Sequence, residues 1–158
     1  MGTGALTVTG NASLDATGTG VALANAIGLN AGTTLTLPGT QNLVLGGAIS
    51  GAGGLQKNGA STLTLNGAGT FSGGLTVNAG TVALGANGSL QTGGLVNLVN
   101  AGAAFDISGA AGGQVIGGLA GVAGTTVALG ANSLTFGSDG ASRSMLGTIS
   151  GVGGSLVI

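Results

Sequence analysis

The sequence predicts an all-β chain wound into a solenoid, and three observations lead to that fold class. Short runs alternate Leu or Val with Thr, as in Thr34–Leu37 and Thr62–Leu65, which is the period of a half-buried strand. Glycine, which ends such runs, supplies 38 of the 158 residues, against a usual ~7%. Residues 31–55 are also similar to residues 123–156, and long-range recurrence is typical of a coil that stacks on itself.

The strands are expected to place their aliphatic side chains inward and their Thr, Ser and Asn side chains outward. Burial of each Leu is worth about 1.5–3 kcal/mol, and these ladders must offset the conformational entropy that the many glycines lose on folding. Glycine itself is expected at the corners, where left-handed dihedral angles are needed. The residues predicted to point inward are Leu35, Leu43, Leu45, Leu63, Leu65, Val77, Val82, Leu84, Val127, Leu129, Leu134 and Phe136.

The whole chain, residues 1–158, is predicted to form a single solenoid domain with a partial internal duplication. The second copy, within 123–156, is longer than the first copy, within 31–55, because it carries an insertion near 137–147. Insertions into repeats form loops on one face of a solenoid. The insertion contains Asp139 and Arg143, which we therefore expect to be solvated loop residues.

The composition excludes several classes of function. Five residues are charged, and the chain has no His and no Cys, so it has no Ser-His-Asp triad and no ordinary zinc, haem or iron–sulfur site. The three carboxylates, Asp15, Asp106 and Asp139, are too far apart in sequence to indicate an acid/base pair. We therefore predict no catalytic residue, no metal site, no cofactor and no enzymatic activity. Two basic residues cannot neutralise a phosphate backbone, which argues against nucleic acid as a partner.

The least polar stretch of the chain, Gly112 to Ala131, is predicted to be two strands around a glycine turn. Its glycines and the absence of flanking basic anchors argue against a membrane-spanning helix. The first residues lack the basic segment and the long apolar core of a signal peptide. We therefore predict neither a membrane span nor a signal peptide in this chain.

A family resemblance is carried by residues 49–65, ISGAGGLQKNGASTLTL, and by residues 66–82, NGAGTFSGGLTVNAGTV. These two segments closely resemble the passenger-associated repeat of bacterial autotransporters, with Gly69, Phe71 and Leu75 departing from the usual pattern. The resemblance implies a right-handed parallel β-helix in a secreted adhesin or a related bacterial surface protein. We accordingly predict a right-handed parallel solenoid of six to eight turns, located outside the cell or on its surface.

The two ends of the chain predict how it is used. Solenoids normally carry polar capping units, whereas residues 1–14 and 144–158 contain no charge and no Pro. We therefore predict a solenoid without capping elements. In the repeat frame Met1 falls on the position of Asn58, directly after the position that Ile158 takes, so one copy could continue the next.

These observations favour a structural protein whose copies stack head to tail into surface or biofilm filaments, or into the stalk of an adhesin. The alternative is a monomeric fragment of an autotransporter adhesin passenger that binds a host or surface ligand. The first hypothesis makes the protein its own partner. Its predicted interface consists of Leu6, Thr7, Val8, Leu156, Val157 and Ile158.

Overall fold

The structure, a computed structural model, describes residues 2–158, so the predicted place of Met1 in the repeat frame lies outside it. Across these residues the chain forms 21 short strands and no helix. The strands form three faces of a solenoid, and the chain visits the faces in a fixed order. In each of the first six turns the chain contributes one strand to each face. Strands of successive turns pair in parallel, and a single bridge from Gln91 to Val115 joins the two parts of the one face that is interrupted.

The strands of each face are numbered in chain order. The first face contains β1 (Leu6–Val8), β4 (Ile27–Leu29), β7 (Ile49–Gly51), β10 (Ala68–Gly69), β13 (Ser89–Leu90), β16 (Gln114–Val115), β19 (Ser133–Thr135) and β21 (Ser155–Val157). The second face contains β2 (Ala12–Ser13), β5 (Thr34–Leu37), β8 (Gly54–Lys57), β11 (Leu75–Val77), β14 (Leu95–Leu98) and β17 (Gly118–Gly121). The third face contains β3 (Val21–Leu23), β6 (Leu43–Leu45), β9 (Thr62–Leu65), β12 (Thr81–Leu84), β15 (Ala104–Asp106), β18 (Thr126–Ala128) and β20 (Thr148–Ser150).

In-register pairing stacks like residues along the axis. On the third face Leu43 pairs with Leu63, Leu63 with Val82 and Val82 with Phe105. The chain completes seven turns and then adds β21, which lies on the first face above β19. The predicted all-β parallel solenoid of six to eight turns is therefore confirmed.

The core lies inside the three faces and follows the predicted alternation. Eleven of the twelve residues predicted to point inward are buried, with 6% exposure or less. The exception is Phe136, which is half-buried and packs against the core from one side. Its packing against the core agrees with the predicted inward direction, although its burial is incomplete.

Glycine at the corner between the third and first faces permits close stacking of the turns. A side chain on Gly47 would overlap the backbone carbonyl of Asn25, and one on Gly67 would overlap that of Gly47. Each turn therefore approaches the next through bare backbone at this corner. The glycine content follows from this close approach as well as from turn geometry.

Two segments differ from their predicted arrangement. Residues 112–131 form three strands, β16, β17 and β18, instead of two, because this stretch passes over all three faces of one turn. The similar sequences at 31–37 and 123–129 lie on different faces, since the first contains β5 and the second contains β18. Within residues 2–158 no helix is long and apolar enough to cross a membrane.

Candidate functional site

The C-terminal end of the solenoid exposes several large apolar side chains. Seven large hydrophobic residues of the described chain are exposed, and five of them lie between residues 146 and 158. They are Leu146, Val152, Leu156, Val157 and Ile158. Single exposed apolar residues are ordinary on a protein surface, but their concentration in the last residues of the chain makes this end a candidate contact surface.

The N-terminal end presents a less apolar surface. On β1 the side chain of Val8 is buried, that of Leu6 is half-buried and that of Thr7 is exposed. On β3 the half-buried Val21 and Leu23 flank the exposed Ala22. The inward side chains of this first turn therefore form the floor of an open core.

Both end strands of the first face carry unpaired backbone groups on one side. The Leu6 N–H donates to the Ala26 carbonyl at 2.8 Å, and the Val8 carbonyl accepts from the Asn30 N–H at 3.0 Å. Since alternate residues of a strand point their backbone groups to opposite sides, the Thr7 N–H and carbonyl point away from β4. On β21 the Ser155 N–H donates to Asn132 and the Val157 carbonyl accepts from Phe136. The backbone groups of Leu156 therefore face the open side.

The insertion predicted near 137–147 takes the place of a seventh strand on the second face. Only Met145 pairs there, in a single bridge to Gly121. Within the loop the Arg143 guanidinium lies 3.0 Å from the Asp139 carboxylate. The Ala141 N–H donates to Asp139, and this hydrogen bond, together with Arg143, holds the pKa of the Asp139 carboxyl below its usual range. Both residues lie in the predicted loop, where the Arg143 side chain is exposed and the Asp139 side chain is only 15% exposed.

The loop, the last strand of the first face and the core surround a cleft of about 230 Å³ at the C-terminal end. Its apolar lining includes Leu119, Phe136, Met145 and Ile158, and its polar lining includes Asp139 and Arg143. The cleft opens where the core lacks a further layer. An apolar side chain entering it would extend the core.

The structure places all six predicted interface residues on the first face, but at opposite ends of the solenoid. Leu6, Thr7 and Val8 form β1, whereas Leu156, Val157 and Ile158 form β21 and the residue after it. Leu146 and Val152, which have 68% and 96% exposure, were not among the predicted interface residues. The absence of charged residues from 144–158 could have predicted that further apolar side chains of this segment are exposed at the end of the solenoid.

Away from the ends, Lys57 is a buried charge inside the solenoid. It points inward from β8 between Leu37 and Val77, with 1% of its surface exposed. Its ammonium donates to the backbone carbonyls of Asn58 at 2.6 Å and Gly59 at 2.7 Å. Burial lowers the pKa of Lys57, and the negative charge of Asp15 opposes that shift.

Asp15 is held at the edge of the same region. Its carboxylate accepts a hydrogen bond of 2.6 Å from the Thr40 hydroxyl, which is the main reason that the pKa of Asp15 lies below its usual value. The buried hydroxyl of Ser61 lines the same small cavity as Lys57 and has no hydrogen-bond partner among residues 2–158. In this described part of the chain no group of three or more acidic residues could hold a metal ion.

We expect Lys57, the only lysine, to resist acylation in the folded protein and to react after unfolding in urea, because its amine is enclosed by backbone carbonyls. Peptide mapping by mass spectrometry after treatment with an amine-reactive ester gives the modified fraction. In the variant Thr9→Lys, where Thr9 is exposed, the added lysine should react in the folded state. Equal reaction of the two lysines in folded protein would contradict the buried position.

Comparison with known proteins gives one finding. No curated protein and no solved structure matches the chain. The passenger-associated-transport-repeat family model matches residues 55–84, which run from β8 to β12 and thus cover most of turn three and all of turn four. The resemblance inferred from residues 49–82 is confirmed there, and the chain contains a passenger-associated-transport-repeat within a fold that fits an autotransporter passenger-like protein.

Proposed function

We propose that the protein is an extracellular structural subunit whose copies stack head to tail into filaments, as a surface fibre or an adhesin stalk. The observation that carries the proposal is the pair of unlike, unpaired ends. One end exposes five of the seven exposed large hydrophobic residues, and the other exposes the floor of the core beside the free backbone groups of Thr7.

Stacking would pair the free backbone groups and bury the exposed apolar side chains of both ends in one contact. The incoming strands would pair with the free N–H and carbonyl groups of Leu156, and the apolar side chains of both ends would leave water. Because the two ends differ, the contact is heterologous, and repeating it along one axis produces a fibre and not a closed ring. The proposal therefore needs no partner other than the protein itself.

The two end strands of the first face, β1 and β21, also lack the charged residues and prolines that commonly prevent another strand from pairing with an edge. Natural edge strands are guarded by Lys, Pro or covering segments, and neither β1 nor β21 contains a charge or a Pro. The Asp139–Arg143 pair lies on the second face, so it leaves the edge of the first face free. A location outside the cell is supported by the passenger-associated-transport-repeat at residues 55–84.

The test is sedimentation velocity over a range of concentrations, combined with negative-stain electron microscopy of the same samples. We expect species larger than the 14.3 kDa monomer that grow with concentration, and unbranched rods under the microscope. A chain that remains monomeric at high micromolar concentration, with no rods, would overturn the proposal. The monomeric passenger fragment that binds a host or surface ligand would then be the better hypothesis.

A further inference from the structure

The number of strands on each face fixes how two copies can meet. The first face has one strand more than the third, because the chain ends its seventh turn at β20 and then adds β21. The second face ends at the Met145 bridge. At the C-terminal end the outermost segment of the second face is residues 144–146, that of the third face is β20 and that of the first face is β21. Each of these lies further along the solenoid axis than the one before it. At the N-terminal end the corresponding order is β1, β2 and β3.

Two joints between copies are conceivable, and they differ in how many faces continue. In an aligned joint β1 would lie on β21, first face on first face. Then β2 and β3 would each stand one strand spacing, about 4.8 Å, too far from the segments below them. Two of the three faces would contain a gap of one missing strand.

A joint rotated by one face removes both gaps. With β1 above residues 144–146, beside the loop that carries Asp139 and Arg143, β2 lies above β20 and β3 lies above β21. A segment of the next copy then follows each face at a single strand spacing. We propose that successive copies in the filament are rotated by one face, so that β3 of one copy pairs with β21 of the next. This inference rests on the head-to-tail stacking proposed above.

The chain itself demonstrates that one sequence motif can occupy two faces. The segment AGTTLTL at 31–37 forms β5 on the second face, and the similar AGTTVAL at 123–129 forms β18 on the third face. The corners that lead into them have the same hydrogen bonds. The Thr33 hydroxyl donates to the Asn30 carbonyl at 2.7 Å, and the Thr125 hydroxyl donates to the Val122 carbonyl at 2.7 Å.

The glycines that precede these two threonines also have similar backbone conformations. Gly32 has a φ of 75° and Gly124 has a φ of 85°. Adjacent faces are thus close enough in shape for the same corner and strand to fit either one. A rotation by one face between copies therefore repeats a shift that already occurs inside one copy.

Side-chain direction matches at the rotated joint. On β3 the half-buried Val21 and Leu23 point inward, since they pair with the inward Leu43 and Leu45. At the other end Leu156 pairs with the buried Leu134, so it points inward, and Ile158 follows two residues later. In the rotated joint Val21 can therefore pack against Leu156, and Leu23 against Ile158. The outward residues between them, Ala22 and Val157, are then neighbours across the joint.

Disulfide trapping distinguishes the two joints, because the chain has no native cysteine. One variant carries Ala22→Cys and Val157→Cys, which are adjacent in the rotated joint. The matched variant carries Thr7→Cys and Val157→Cys, which are adjacent in the aligned joint. Neighbouring parallel strands lie about 4.8 Å apart, within the 4.4–6.8 Å range of Cα separations that a disulfide spans.

After mild oxidation, we expect a ladder of covalent multimers on a non-reducing gel for the Ala22/Val157 variant and mostly monomer for the Thr7/Val157 variant. The reverse pattern would overturn the rotation while leaving head-to-tail stacking in place. Rods and large sedimenting species without a ladder in either variant would also overturn the rotation. Loss of both ladders in a protein that sediments as a monomer would instead reject the proposed function itself.

Discussion

Replacing Phe105 with Ala should remove about 3–5 kcal/mol from the free energy of unfolding, the usual cost of truncating a buried aromatic residue. Phe105 has no exposed surface and lies in the third-face ladder between Val82 and Val127. Truncation leaves a cavity between three consecutive turns, and the stacked backbones on either side limit how far the walls can collapse. Urea unfolding of the monomer, followed by circular dichroism at low protein concentration, measures the loss.

Two variants serve as controls for this prediction. Phe136→Ala makes the same chemical change at a half-buried site in the last turn, so its effect on the monomer should be clearly smaller. Val122→Ala changes a residue with 41% exposure and should shift the unfolding free energy by no more than about 0.5 kcal/mol. If Phe105→Ala and Phe136→Ala cost the same, the ladder does not bear the stability that we assign to it.

Substituting Thr7 with Pro should abolish filament formation and leave the fold of the monomer intact. The Thr7 N–H points away from β4 and its side chain is exposed, so Pro removes one donor from the open edge and none from the internal ladder. Leu156→Pro makes the corresponding change at the other end. Sedimentation velocity should show monomer for each variant at concentrations where the unmodified protein assembles.

The matched control is Thr7→Val, which retains the backbone donor and a β-branched side chain of similar shape. It should assemble like the unmodified protein. Circular dichroism and the urea midpoint of the Pro variants should remain close to those of the unmodified monomer. Assembly of Thr7→Pro and Leu156→Pro at the unmodified level would contradict strand pairing at the joint.

The inward ladders could be predicted from the sequence because they depend on local alternation. The polar neighbours Thr62 and Thr64 predict that the Leu63 side chain points inward, whichever face the strand occupies. Phe136 has the same local pattern and is nevertheless half-buried. Its burial depends on the next turn, and that is not a local property.

The face that each strand occupies could not be predicted from its local sequence. Residues 31–37 and 123–129 are similar in sequence and lie on different faces, because the number of corners between them decides the face. The sequence indicated the insertion near 137–147, but not that it replaces a second-face strand. The six predicted interface residues lie at the two ends, whereas the direction of each free N–H followed only from the pairing of β1 and β21.

The single Met145 bridge on the second face has a mechanical consequence for a rod that is pulled along its length. Hydrogen bonds between turns run along the axis, so a tensile load crosses every turn-to-turn boundary in series. Most boundaries share that load among strand pairs on all three faces, but between turns six and seven the second face contributes only the contact of Gly121 with Met145 and its flanking loop. The first face is likewise reduced to a single bridge, from Gln91 to Val115, between turns five and six. Under tension we therefore expect these two boundaries to part before the boundaries that are paired on all three faces.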